Sequence, residues 1–281
     1  EELDRFAVED PANGFAAFQG TNDPKPGLVM EAGRIASMDG IPLADFDMID
    51  HFIAHHHLDL DLAPTAMAIP SAEIARRLVD IAVPREELAR LAHGLTPAKL
   101  AEVVAQLSAI ELAFAFSKMR TRKIPGNQGH VTNAKDDPLQ LAADAATAVA
   151  FGFDEVETTM RVARNAWSNA LACAVGAAVG RWGTLFQCSS EEAEELQIGM
   201  AGFTSYAETV SVYGTERAFT DGDDTPWSKA FLAAAYASRG IKMRCTSGAA
   251  SELLMGFHES KSLLYLEARC LCLQRAMGVQ G

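Results

Sequence analysis

An α/β fold of parallel strands alternating with helices is what this sequence predicts, and three observations predict it. Beyond about residue 126, short β-prone runs alternate with helix signals at steps of roughly 25–35 residues, the spacing of strand–helix units in a parallel sheet. Helix starts carry their own punctuation: Thr96-Pro97 and Thr225-Pro226 each place an N-cap hydroxyl before a Pro at the first helical position. The 281 residues, 49% hydrophobic and 22% charged, suffice for a real core. At roughly 150 residues per domain they allow two domains or one large barrel.

The elements follow in order. Residues 1–70 are rich in Pro, Gly and Asp (NDPKPG, 22–27; MDGIPLADFDMIDHF, 38–52) and read as an N-terminal extension of loops and short strands. Residues 71–125 read as a helical segment. Ser71 is expected to cap IARRLVDIAV, Pro84 to open a second helix, and Thr96-Pro97 to start one long helix running to about Met119. The segment 126–281 carries the alternation. A strand near 127–131 precedes the helix LQLAADAATAVAF, and FDEVET (153–158) precedes a helix over 160–180. LFQC (185–188) precedes a helix opened by Ser189, AETVSVYG (207–214) leads to WSKAFLAAAYASRG, and KMRCTS (242–247) leads to a last helical stretch. That makes about five strand–helix units, where a closed (β/α)8 barrel needs eight. The pattern alone fits either an open doubly wound sheet or the first part of a barrel. No Gly-rich phosphate loop follows the first strand, which weakens the nucleotide-binding version.

Composition excludes several functions. A net charge of −13 argues against nucleic acid and anionic membranes, both of which need basic patches. No apolar run reaches the roughly 20 residues that span a bilayer, and the acidic opening EELDRF is unlike a signal peptide. Cys173, Cys188, Cys245, Cys270 and Cys272 are odd in number and irregularly spaced, which points to buried thiols in a reducing cytoplasm rather than zinc or redox use.

Ligand sites of parallel α/β folds lie at the C-terminal ends of strands. Those ends collect Gln128 and His130 from GNQGHVTN, then Glu157, then Glu208. Gln128 and His130, two residues apart, share one face of a strand. Two carboxylates, an amide and an imidazole suit a polyol or a hard cation such as calcium, magnesium or potassium, and suit zinc poorly. The bland alternative for each is a satisfied polar residue at a strand end. His51 and the run His55–His57 offer a rival metal site of hydrolase type, but consecutive histidines cannot all face one ion and no HExxH accompanies them. A solvated surface run is the expectation there. Ser189 and Glu192 form a capping-box pattern, which accounts for Glu192 without function.

Longer stretches carry a resemblance. KMRTRKIPGNQGHVTNAKDDPLQLAADAA (118–146), GFDEVETT (152–159), QCSSEEAEEL (187–196), TSYAETVSVYGTERAFTDGDDTPWSKAFLAAAYASRGIKMRCTSG (204–248) and ESKSLLYLEARC (259–270) resemble the large subunit of adenosylcobalamin-dependent diol and glycerol dehydratases. The resemblance runs from about NDPKPG to the final GVQG. It implies a (β/α)8 TIM-type barrel, of which about the first five units are present. It also implies a cytoplasmic lyase, in some cases inside a bacterial microcompartment, that eliminates water from glycerol or 1,2-propanediol by radical chemistry. The cofactors implied are adenosylcobalamin and a calcium or potassium ion. The partners implied are medium and small subunits in a dimer of heterotrimers, with a reactivating factor.

Residue by residue, Gln128, Glu157 and Glu208 match the family's metal and substrate contacts. His130 matches the histidine on the migrating hydroxyl, and Glu157 the carboxylate on the spectator hydroxyl. Thr159, Glu192, Thr209, Tyr213 and Asp221 match positions around the corrin, and Arg122 a basic residue near it. Departures are the histidine run 55–57, Gly129 where the family tends to have Ala, and length: family large subunits continue well past GVQG. The chain alone is therefore expected to be inactive, with a non-catalytic corrin-binding or assembly role as the alternative.

Overall fold

A three-stranded antiparallel meander opens the chain described by the computed structural model, which covers residues 22–119, 128–132, 143–144, 146–148, 150–152, 155–159, 185–189, 207–211, 214–215, 225–240, 243–246 and 259–278. The meander runs β1 (Leu28–Glu31), β2 (Arg34–Met38) and β3 (Ile41–Pro42), with β2 central. Its turns are the two-residue loops Ala32-Gly33 and Asp39-Gly40, closed by the pairs Glu31↔Arg34 and Met38↔Ile41. All four loop residues have positive φ, between 49° and 79°, the backbone twist that matches twisted hairpin strands. Asp and Gly tolerate that region better than most residues, so MDGIP forms a hairpin rather than an open loop.

The chain divides into two units: residues 1–121, 213–221 and 247–276 form the first, and the remainder the second. In the first unit, α1 (Met48–His56), α2 (Ala63–Ala68), α3 (Ser71–Val79), α4 (Arg85–Ala92), α5 (Pro97–Ala105), α6 (Ala109–Met119) and the late helix α8 (Leu263–Ala276) pack together. Ala66, Ile74, Ala75, Leu95 and Val103 form one buried cluster, with Leu62, Leu78, Leu91 and Leu100 against it. α8 lies on both α1 and α5 and buries Tyr265, Leu266 and Leu273.

Several expectations are corrected here. Residues 48–56 and 63–68 are helical rather than loop. Asp47 caps α1, accepting from the Asp50 amide at 2.8 Å, so its acidic cluster is a helix start. The long helix expected from Thr96 to Met119 is two helices. Thr96 caps α5 as expected, but Ser108 and Glu111 form a second capping arrangement, with the Ser108 amide 2.8 Å from Glu111 Oε2. Ser71 is the first residue of α3 and not its cap; its hydroxyl donates to Glu102 of α5. Lys118 closes the other end of α3 by donating to the carbonyls of Arg77 (3.0 Å) and Asp80 (2.7 Å).

Two buried polar groups lock this unit. Asp39, in the second hairpin turn, accepts from Thr96 Oγ1 (2.5 Å) and the Ala98 amide (2.9 Å), joining the meander to the N-terminus of α5. Arg269, 1% exposed on α8, reaches both Asp47 and Asp50 at the start of α1 (2.5 and 2.8 Å) and donates to the Gly214 carbonyl. Burial raises both carboxyls, but the Arg269 charge brings Asp47 below the ordinary range, while Asp50, also facing Asp47, stays above it.

The second unit holds β4 (Gln128–Thr132), β5 (Glu155–Thr159) and β6 (Leu185–Ser189) as a parallel sheet in that order, and β7 (Ala207–Ser211) parallel to β8 (Met243–Thr246). β7 lies beside β6. The helix α7 (Pro226–Ser238) packs on β7 and β8. It starts at a Thr225–Ser228 capping box with reciprocal bonds of 3.1 and 2.9 Å. Strand positions agree with the sequence reading to within two residues, except that β7 ends at Ser211, three residues before the end of AETVSVYG.

Removing Arg269 leaves two carboxylates buried without their cation. Arg269→Met is expected to lower stability by about 3–5 kcal/mol in urea denaturation, and adding Asp50→Asn to that variant to recover part of the loss.

Buried His57 and Asp39 set opposite pH dependences. Burial pushes the His57 imidazole down to about 4, so its contribution is complete above 6.5 and is lost as pH falls towards 4. Burial pushes the Asp39 carboxyl up to about 6, so its contribution is complete below 3.8 and is lost as pH rises through 6. Each shift corresponds to about 3 kcal/mol at most, so between pH 4 and 6 they offset each other. His57→Gln is expected to make stability rise on acidification relative to wild type, and Asp39→Asn to make it fall, read from urea midpoints at pH 4.5 and 7.

Candidate functional site

Parallel in-register pairing decides which polar residues of the second unit lie side by side. Across β4, β5 and β6 the register rows are Gln128↔Glu155↔Leu185, then His130↔Glu157↔Gln187, then Thr132↔Thr159↔Ser189. Residues two apart share a face and neighbouring strands lie about 4.8 Å apart, so these nine positions form one lattice on one side of the sheet. Eight of the nine are polar, Leu185 being the exception. The other face carries Gly129, Val131, Val156, Thr158, Phe186 and Cys188. Strands buried on both sides of a parallel sheet read as continuous apolar runs. This sheet instead has one core-like face and one face built for polar company.

The expected site residues fall on that lattice unevenly. His130 and Glu157 are direct register partners, and Thr159 lies one pleat further along β5. Gln128 shares their face but opens β4 instead of ending it, level with Glu155. The expectation that all four key residues sit at the C-terminal ends of strands is not met: Gln128 opens β4, His130 and Glu157 are the middle residues of five-residue strands, and Glu208 is the second residue of β7. Glu208 and Thr209 lie on β7, at a bulge: the register passes from Glu208↔Arg244 to Val210↔Cys245, leaving Thr209 as the extra residue. Bulges recur beside functional sites, where they re-aim side chains. Arg122, Glu192, Tyr213 and Asp221 lie outside the described residues.

Three residues were missed by the sequence reading. Gln187 stands in the row of His130 and Glu157, and its signal was parity: in LFQCS it alternates with Phe186 and Cys188. Arg244 stands level with Glu208, a pairing no local pattern announces. Glu155 puts a second carboxylate on the same face of β5 as Glu157.

The histidine run divides between solvent and core. His57 is 2% exposed, with Nε2 3.2 Å from the Leu95 carbonyl and its ring 5.4 Å from that of His93. Only His55 and His56 fit the expectation of a solvated run. Among the described residues no group of three or more His, Cys, Asp or Glu is placed to hold a metal. Cys270 and Cys272 are buried and form no disulfide, as expected of structural thiols, and burial pushes the Cys272 thiol far up. Among the described residues no helix is long and apolar enough to cross a membrane.

Comparison with known proteins agrees with the resemblance. A family described as the dehydratase large subunit matches residues 2–281. The glycerol dehydratase large subunit of Citrobacter freundii is 57% identical over 278 residues, covering 99% of this chain and 50% of that protein. The chain thus spans about half the length of the curated relative it matches, and it belongs to the dehydratase large-subunit family.

Proposed function

We propose, on the premise of that family membership, that the chain carries part of the active site of a hydro-lyase converting a 1,2-diol, glycerol or 1,2-propanediol, to an aldehyde. The observation that carries this reading is the His130–Glu157 register pair on a polar sheet face. A diol is neutral and unactivated, so the protein's task is to polarise two adjacent hydroxyls and keep water away from reactive species. A carboxylate accepts a proton share from one hydroxyl while an imidazole N–H steadies the other. Partners on neighbouring strands, about 4.8 Å apart, can serve two vicinal oxygens from one side. In this reading Glu157 takes the spectator hydroxyl and His130 the migrating one. The name of the Citrobacter relative favours glycerol.

Gln128, Glu157 and Glu208 are an all-oxygen donor set, which fits a hard cation such as calcium or potassium and not zinc. Adenosylcobalamin, when bound, would supply the hydrogen-abstracting radical. Thr159 and Thr209, with Arg122, Glu192, Tyr213 and Asp221, would hold its periphery; hydroxyls on the Thr132–Thr159–Ser189 row suit the amide groups of a corrin. The family's designation as a large subunit supports medium and small subunits as partners. So does exposed apolar surface at Ile110 and Phe116 on α6 and at Trp227 and Phe231 on α7, which a larger assembly would cover. The parallel strands β4–β8 support a barrel wall of the (β/α)8 kind, cytoplasmic or housed in a microcompartment.

The test is aldehyde formation from both diols by a full-length large subunit bearing this sequence, assembled with its partner subunits and adenosylcobalamin. Glu157→Ala and His130→Ala are each expected to lower kcat by roughly 100-fold or more, as loss of a positioned acid–base group does. No aldehyde from the wild-type assembly, or full activity in both variants, would refute the reading. The 281-residue chain by itself is expected to form none.

A further inference from the structure

We propose that Gln187 is a third substrate-orienting residue, acting beside Glu157 from the strand opposite His130; this rests on the diol-lyase reading above. The placement is set by backbone register alone. β5 is the central strand of the sheet β4–β5–β6, and Glu157 at its middle has His130 as its partner on one side and Gln187 on the other. The three positions form one straight row on the polar face.

Sequence parity makes the placement discriminating. On β6, Phe186 and Cys188 fall on the apolar face, so a slip of one residue would exchange Gln187 for an apolar residue. The alternation Phe186–Gln187–Cys188 favours this register over a one-residue slip.

The chemistry of the row is complementary. A carboxylate is an acceptor only, an imidazole offers one donor when neutral, and a primary amide offers two donors and an acceptor. A diol presents two hydroxyls, each both donor and acceptor. One carboxylate and one imidazole leave oxygen lone pairs and one hydroxyl hydrogen to be satisfied, and an amide can supply both kinds of partner without adding charge. Glu155 and Glu157 already put two carboxylates on the same face of β5. A neutral partner at 187 therefore adds hydrogen bonding without adding repulsion. Because such an amide would hold the diol alike before and during reaction, its contribution is uniform binding, which appears in KM rather than kcat.

The experiment uses the same full-length, assembled, cofactor-loaded enzyme with three variants: Gln187→Leu, isosteric Gln187→Glu, and Cys188→Ser on the opposite face of the same strand. Gln187→Leu is expected to raise KM for the diol about tenfold or more with kcat within threefold of wild type. Gln187→Glu is expected to raise KM likewise, because it trades two donors for a charge. Cys188→Ser is expected to leave KM within twofold. If both Gln187 variants keep wild-type KM, the proposal fails while the diol-lyase reading stands. Loss of kcat without a change in KM, an equal effect at Cys188, or failure of both Gln187 variants to assemble makes position 187 structural and also overturns it. A wild-type enzyme that forms no aldehyde overturns the parent reading instead, so the two failures are distinguishable.

Discussion

One buried cation organises the first unit. Arg269 sits on α8, and its carboxylate partners Asp47 and Asp50 begin α1 more than two hundred residues earlier. Withdrawing a guanidinium from water costs several kcal/mol, offset only when its hydrogen bonds are all made. Here Asp47 and Asp50 take one side and the Gly214 carbonyl another. The geometry is tight at that carbonyl as well: a Cβ on Gly214 would stand 3.0 Å from the Leu266 carbonyl oxygen, so any larger residue would have to push α8 away by a few tenths of an ångström. Such a cluster is worth little as raw stability but much as specification, since a misplaced α8 would bury an unpaired charge. The cluster fixes α8 against the start of α1, while Asp39 separately seats the meander on α5 through Thr96 and Ala98.

That arrangement explains why local signals served some elements and not others. Helix starts with a hydroxyl before Pro were legible, because Thr96 and Thr225 satisfy orphan amides within four residues and need no tertiary help. The start of α1 has an equally local mechanism in Asp47 and Asp50, but the same two side chains also serve Arg269. Acidic residues among Gly and Pro therefore looked like a loop. The division between α5 and α6 was legible too: Ser108-Ala-Ile-Glu111 is a capping box inside an apolar stripe, and periodicity hid it. His57 could not be assigned from sequence. Its neighbours His55 and His56 are exposed, and only packing against Leu95 and His93 buries it.

The candidate site divides in the same way. Residue types and alternation were enough to single out His130 and Glu157 as candidates, because period two marks a face without reference to other strands. Adjacency across strands is a matter of register, which depends on how β4, β5 and β6 align. A single strand cannot report that. Gln187 was therefore invisible as a partner of Glu157, although its own alternation with Phe186 and Cys188 was in plain view. Thr209 shows the converse: matched by resemblance, it acquires a physical reason only from the bulge that sets it apart from the ladder.

Charge on the polar face argues for what must join it. Glu155 and Glu157 share one side of β5, and the only nitrogen base among the nine lattice positions is the imidazole of His130. Glu208 has Arg244 level with it on β8, whereas no Lys or Arg stands among the nine positions of β4–β6. Two like charges within one lattice either hold a proton between them or recruit a cation. Burying the face under a substrate would sharpen that choice, since lowering the local dielectric strengthens the repulsion. A bound hard cation would resolve it without protonating Glu157, the carboxylate proposed to accept from the diol. On the proposed reading, a metal would be a condition for Glu157 to act, not an accessory to it.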